Sequence, residues 1–167
     1  KIKQFQEISE YLVFHSEYLG NHYEFLLLPK PWSFEVIEIS LKNPLKLGVW
    51  QDHETITPRK NYADSVTGAY YANRLAVTEY LQSIKRQATV LVFREIRPEY
   101  YAPCGVGILR EASREAFKTK PEIFATKVEA VNSIQTRLLQ PITNYTSRSV
   151  LLNQITEQKT LKNFFIN

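Results

Sequence analysis

The sequence predicts an α+β fold: a single domain with a small mixed or antiparallel sheet flanked by helices, a helical carboxyl-terminal half and a flexible carboxyl-terminal tail. Three observations carry the prediction. Compact apolar or β-branched runs, the signature of buried strands, fall at Tyr23 to Leu28, Phe34 to Ile39 and Thr89 to Ile96. From Val66 onward apolar residues otherwise recur at helical intervals. Strands thus come early and helices late, with no internal repeat or low-complexity segment. The 167 residues suit one domain with a real core, read as residues 1–156, followed by a tail at 157–167.

The elements follow in chain order. Phe5, Ile8, Tyr11, Leu12 and His15 sit at helical spacing, which predicts a short helix over residues 4–18. Gly20 then provides a left-handed cap. The run Tyr23 to Leu28 is closed by Pro29 and Pro31, because proline cannot donate to a sheet ladder. Phe34 to Ile39 alternates as a second strand. Residues 41–64 read as irregular, with a short strand at Leu47 to Trp50 and a polar loop at Asp52 to Arg59. Tyr70, Val77, Tyr80, Leu81 and Ile84 mark a long helix from Val66 to Arg86. Thr89 to Ile96 is a strand, and Val106 to Lys118 a helix with Leu109, Ala112 and Ala116 on one side. Lys127 to Leu139 is a helix striped by Val128, Val131, Ile134 and Leu138. One last helix runs from Asn144 to about Thr156.

Hydrophobic residues make up 44% and charged residues 23%, as in a soluble globular protein. No apolar run approaches the roughly 20 residues of a membrane span. The amino end is polar and shows no signal-peptide pattern. The lone Cys104 excludes an internal disulfide and fits a reducing, cytoplasmic setting. The formal charge of +4 permits nucleic-acid binding without demanding it. Methionine is absent and the chain starts at Lys1, which points to a fragment.

Three histidines and one cysteine cannot build a zinc site, and no glycine loop for a nucleotide is present, so no metal and no cofactor is expected. Gly105-Val106-Gly107 opens a helix, whose free N–H groups can bind phosphate, although paired glycines more often serve the turn alone. Arg110 and Arg114 lie one helical turn apart, Arg94 ends a strand, and Arg74 lies on the long helix. If these elements are neighbours, their guanidinium groups converge on phosphate, with Tyr70, Tyr71, Tyr100 and Tyr101 near enough to stack on bases. The alternative is that Arg110 and Arg114 pair with Glu111 and Glu115 and merely solvate the helix. Asp64, Glu79, Glu95 and Glu111 are candidate acids, but nothing in the sequence brings two of them together. Cys104 reads as a loop or core residue without a histidine partner.

The last ten residues contain the pattern Q-x-x-L-x-x-F-F, formed by Gln158, Leu161, Phe164 and Phe165. In one tight turn the leucine and both phenylalanines make a three-pronged apolar plug, with the glutamine at its rim. A chance match in a chain this long is on the order of one in a hundred. The pattern resembles the PCNA-interacting peptide, through which replication and repair proteins dock on the sliding clamp. The alternative is that Phe164 and Phe165 fold back onto their own domain.

Gly20-Asn21 leading into Phe25 to Trp32, then Gly68 to Leu81, Arg86 to Ile96, Gly105 to Ala116, the Ser149-Val150-Leu151-Leu152 segment and the terminal motif together resemble the archaeal Nre family of DNA repair proteins. The resemblance covers most of the chain from about residue 18 and is weakest across 41–64. It implies a repair accessory factor that binds the clamp through its tail. It also marks Asn21, Gly68, Tyr71, Arg74, Arg94, Glu95, Arg110, Glu111 and Arg114 as family-core positions. The chain is shorter than a full-length member and lacks the cysteine-rich amino-terminal zinc motif of many, so zinc is not carried over. Three functions stay open: a clamp-docked repair factor that engages DNA through arginines; an enzyme acting on a nucleotide or nucleic acid; and an interaction protein whose tail serves self-association.

Overall fold

The computed structural model describes residues 1–43, 45–100 and 105–156. A short 3-10 turn, Ile2–Gln4, and a two-residue strand β1, Gln6–Glu7, lead into β2, Tyr11–Tyr18. The helix expected over residues 4–18 is therefore a strand. Helical spacing of Phe5, Ile8, Tyr11 and Leu12 is real but incidental, since Val13 and Phe14 are both about 1% exposed and need cover on opposite faces. A strand inside a two-faced sheet supplies that cover, because successive side chains point opposite ways. The turn after β2 completes the hairpin. Leu19 and Gly20 both have positive φ, 49° and 77°, the backbone of a two-residue hairpin turn. Gly20 keeps the left-handed conformation expected of it, in a hairpin rather than at a helix end. A Cβ there would also lie 2.4 Å from the Tyr100 amide nitrogen.

β3, Asn21–Leu28, is buried along its whole length, and β4, Ser33–Ser40, nearly so. β5 spans Gly48–Glu54, longer than the strand expected at Leu47 to Trp50. Its added residues look like loop in the sequence because they are acidic. Asp52 and Glu54 are nevertheless 4% and 6% exposed, since each has its own hydrogen-bond donors. Asp52 accepts from the Ser65 and Val66 backbone N–H groups at 3.0 and 2.6 Å, and Glu54 accepts from Trp32 Nε1 at 2.8 Å.

Helix α1 runs Gly68–Ser83, and β6, Arg86–Gln87, pairs with β1. β7, Thr89–Ile96, and α2, Gly105–Ala116, follow, with Leu109, Ala112 and Ala116 buried as expected. β8, Glu122–Phe124, is too short to carry a periodic signal and is an addition to the expected elements. α3, Lys127–Gln135, starts with a capping box between Thr126 and Glu129. Ala130 and Ile134 form its buried stripe, whereas Val128 is 64% exposed and does not belong to it. The expected final helix is two: α4, Thr143–Thr146, and a segment at 150–156, here α5. The break has a cause. Buried Glu35 accepts from Ser149 Oγ and from the Val150 and Leu151 N–H groups, so a carboxylate reaches in from the sheet to cap the second helix.

The main sheet has the order β5-β4-β7-β3-β2-β8. Only β4 and β7 are parallel neighbours; the other pairs are antiparallel. One core, including Phe25, Phe34, Val92, Tyr70, Val77 and Leu109, joins one face to α1 and α2. The other, including Leu26, Ile37, Phe93, Ile134, Tyr145 and Leu151, joins the opposite face to α3, α4 and α5. The mixed sheet flanked by helices is the α+β arrangement expected, built as three layers.

Candidate functional site

The carboxyl ends of the parallel strands β4 and β7 are the natural place to look, because helices that pack on such strands begin there. α1 ends just before β7, so its amino end lies toward the carboxyl end of that strand, where α2 also starts. A Cβ on Gly68 would meet Val106 Cγ2 at 2.5 Å, which places the two helix starts side by side. Gly105 has φ of 73°, a left-handed backbone suited to glycine, and open space lies where side chains of Gly105 and Gly107 would be.

Arg94 forms the floor of this end of the sheet. It sits opposite Glu38 of β4 and Tyr23 of β3 in register. Its Nη1 donates to Glu38 Oε2 at 2.5 Å, its Nε donates to Asn21 Oδ1 at 3.1 Å, and its Nη2 donates to the same oxygen. The guanidinium lies 5.6 Å from the Tyr23 ring and 5.7 Å from that of Tyr100. Burial alone would lower its pKa; facing Tyr23 and Glu38 outweigh that and hold it cationic. Burial also pushes the Tyr23 hydroxyl up to about 12. Asn73 reaches across from α1 to donate to Ser113 Oγ at 2.6 Å. Among the described residues, neither the Tyr23 hydroxyl nor Asn73 Oδ1, both buried, meets full hydrogen-bond geometry with a partner, although the Asn73 side chain lies near enough to Tyr23 to temper the rise in its pKa. Buried polar groups of this kind are uncommon and mark a place able to accept a polar group.

The other arginines singled out in the sequence do not join Arg94. Arg74 donates twice to Glu54 Oε1, at 3.0 and 2.9 Å, and lies 5.6 Å over the Trp32 ring. It borders a cavity of about 430 Å³ with Lys1, Lys3, Trp32 and Glu79. Arg114 forks onto Glu79 at 2.8 and 2.6 Å and reaches Glu111 at 2.8 Å. Arg110, exposed, stands 3.4 Å from Glu111. Each of the four therefore has a carboxylate partner. Glu115, expected to pair with an arginine, instead binds Lys118.

Of the tyrosines expected to stack, Tyr70 is buried, and the Tyr71 hydroxyl accepts from the Ala63 N–H at 2.9 Å. Glu95, a candidate acid, is fully buried and accepts from the Leu139 and Gln140 N–H groups and from Arg97. That is a capping role. Tyr101, Cys104 and the tail residues Gln158, Leu161, Phe164 and Phe165 lie outside the described residues. Among the described residues no cluster of metal-ligating side chains occurs, and no helix is long and apolar enough to cross a membrane. Sequence reasoning does not reach Glu38, Tyr23 or Asn73 as site residues. The signal that could find them is a polar residue inside an otherwise apolar strand or helix face.

Comparison with known proteins bears on what this arrangement serves. The family profile described as "Archaeal Nre, C-terminal" matches residues 54–164, and that described as "Archaeal Nre, N-terminal" matches residues 1–46. The chain is 39% identical over 142 residues to DNA repair protein NreA of Archaeoglobus fulgidus, covering 83% of this chain and 36% of that protein. It is 34% identical over 169 residues to DNA repair protein NreB of the same organism, covering 98% of this chain and 43% of that protein. DNA repair protein NreA of Haloferax volcanii is 33% identical over 141 residues, covering 80% and 34% respectively. The chain thus spans less than half the length of these curated relatives. No solved structure matches it.

Proposed function

This chain belongs to the archaeal Nre family, and from that membership we propose that it acts in DNA repair, docked on the PCNA sliding clamp through its carboxyl tail. The observation that carries the reading is the terminal motif, Gln158, Leu161, Phe164 and Phe165, in a chain similar to proteins named for DNA repair. The match to the Nre carboxyl-terminal region runs to residue 164, into the motif itself. In this reading the leucine and the two phenylalanines fill an apolar pocket on the clamp. A short tether then holds the globular part near DNA at an effective concentration of about a millimolar, so weak intrinsic DNA affinity suffices.

Arg74, Arg94, Arg110 and Arg114 divide within this proposal. Arg110 and Arg114 are on the outer side of α2, and their carboxylate partners are themselves exposed. Phosphate can replace such partners at little cost, since exposed pairs contribute about 0–1 kcal/mol. Arg94 is buried and held by Glu38 and Asn21, and its role is to fix this end of the sheet.

Calorimetric titration of the chain into an archaeal sliding clamp tests the reading, beside a Phe164→Ala/Phe165→Ala double variant. Micromolar binding lost in the variant is expected. Equal heats from the two forms, or none from either, would remove the clamp from the proposal.

A further inference from the structure

We propose that the exposed surface made by β5 and the flanking segments 41–43, 45–47 and 55–67 binds single-stranded DNA, with Trp50 and Tyr62 as stacking platforms for unpaired bases. The inference rests on the DNA repair reading and names the form of DNA that this part of the chain contacts.

The two rings share an unusual presentation. Trp50 is 40% exposed and Tyr62 71% exposed, yet each is fixed from behind. The Trp50 ring lies over Gly48: a Cβ at residue 48 would be 2.4 Å from Trp50 Cη2. A side chain at residue 48 would have to displace the indole, which rests there while remaining 40% exposed. Tyr62 packs on Tyr71 with centroids 4.4 Å apart and planes at 30°, and the Tyr71 hydroxyl is anchored by the Ala63 N–H. A flat aromatic face, immobilised on one side and open on the other, is what base stacking needs, and every base offers a matching face.

The platforms flank one ion pair. Asp52 lies two residues beyond Trp50 on the same strand face and binds Arg59 at 3.0 Å. Arg59 in turn donates to the Tyr62 carbonyl at 3.2 Å. Around them Lys42, Lys46 and Lys60 are exposed, and none forms an ion pair among the described residues. Lys42 Nζ sits 4.9 Å above the Tyr100 ring. Of the nearby acids, Glu38, opposite Trp50 in register, is engaged by Arg94 and Asp52 by Arg59, while Asp64, exposed in the 55–67 segment, has no ion pair among the described residues and offsets one lysine. With three unpaired lysines against one unpaired aspartate, the surface presents a net positive charge beside two exposed rings. An extended polyanion with accessible bases fits that combination; a duplex hides its bases, and an apolar protein partner leaves the lysines unmatched.

The experiment uses the two tryptophans. Trp32 is 3% exposed and stacked on Phe34, so emission that responds to a bound base comes from Trp50. The full 167-residue chain is titrated with (dT)20, following tryptophan emission and the anisotropy of a labelled oligonucleotide. Expected are quenching on binding and a log–log salt slope near −2, from about −0.7 for each of three phosphate contacts. Trp50→Ala and Tyr62→Ala each weaken binding about tenfold. Trp50→Phe, which keeps a platform, retains most of the affinity while losing the quench, and circular dichroism confirms that each variant is folded. A Trp50→Ala/Tyr62→Ala variant that binds (dT)20 as tightly as the parent overturns the inference. So does preference for blunt duplex or for (rU)20, or Trp50-dependent self-association without DNA. Clamp docking is read separately. A chain that binds the clamp but not (dT)20 loses this surface and keeps the docking; the converse keeps the surface and loses the docking.

Discussion

The two faces of the sheet handle buried charge differently. On the face covered by α3, α4 and α5, the buried carboxylates are engaged by the chain's own framework. Glu35 caps α5, Glu95 caps the turn at Leu139 and Gln140, and Glu24 takes a two-pronged hydrogen bond from Arg137. On the face covered by α1 and α2, Arg94 is held by Glu38 and Asn21, while the hydroxyls of Tyr23 and Tyr70 and the Asn73 carbonyl are left without a partner in full hydrogen-bond geometry among the described residues. A face whose buried carboxylates are each engaged by a cap or an arginine reads as architecture. A face that leaves some polar groups over, at the ends of parallel strands and the starts of two helices, reads as a place for something else.

The sharpest way to break this comparison is to remove a cap from the first face. Glu35→Ala leaves Ser149, two backbone N–H groups and the Gln51 amide without their acceptor. A loss of about 3 kcal/mol or more is expected in urea unfolding, with early hydrogen exchange over residues 150–156. Next comes Arg94→Met on the other face, which strands Glu38 and should cost roughly 2–3 kcal/mol, less because the Glu38 side chain keeps 12% exposure. The Arg94→Met/Glu38→Gln double variant should recover part of that loss; additive losses would mean the pair is not coupled.

Alkaline pH probes both faces together. Burial raises the hydroxyl pKa of Tyr23 and Tyr70 on one face and of Tyr145 on the other. The folded state holds those protons where the unfolded chain releases them. This stability is fully present below pH 10 and is lost as pH rises from there through about 12, the value for Tyr23. Each tyrosine that stays protonated only in the fold should cost about 1.4 kcal/mol of stability for every further step of one in pH, read as falling urea midpoints. Tyr145→Phe should flatten the decline. A midpoint unchanged at pH 11 would contradict it.

The smallest effect is at the surface. Hydrogen bonding by Arg114 holds the Glu79 carboxyl below its ordinary 4.5, so its contribution is present above that pH and is lost as pH falls through the depressed value. Glu79 is 44% exposed, so screening limits the loss to a few tenths of a kcal/mol, and Glu79→Gln should barely alter acid unfolding.

What is legible in the sequence follows from which forces are local. Thr89–Ile96 is legible to the residue because a β-branched run buried on both faces has no helical alternative. α1 and α2 are legible because apolar residues recur along them at helical intervals. β2 misleads because its residues satisfy helical spacing as well, and only pairing with β3 decides between the two. Asp52 and Glu54 look like loop because their donors, Ser65, Val66 and Trp32, are remote in sequence. The same limit applies to the arginines. Their identities stand out, but Glu38 and Glu54, which engage Arg94 and Arg74, lie 56 and 20 residues away. Trp50 and Tyr62 give no sequence signal as platforms, since exposure on one side and support on the other are properties of the fold.

The single parallel contact in the sheet has a consequence for how the chain can be divided. The amino-terminal family match, residues 1–46, contributes the consecutive strands β3 and β4, yet these do not touch as neighbours; β7, from the carboxyl-terminal match, lies between them. The family's sequence boundary is therefore not a seam. Cut at that boundary, the amino-terminal piece would carry a slot one strand wide and the carboxyl-terminal piece the strand that fills it. Two such fragments are each other's missing core, and expressed together they should reassemble where either alone would aggregate.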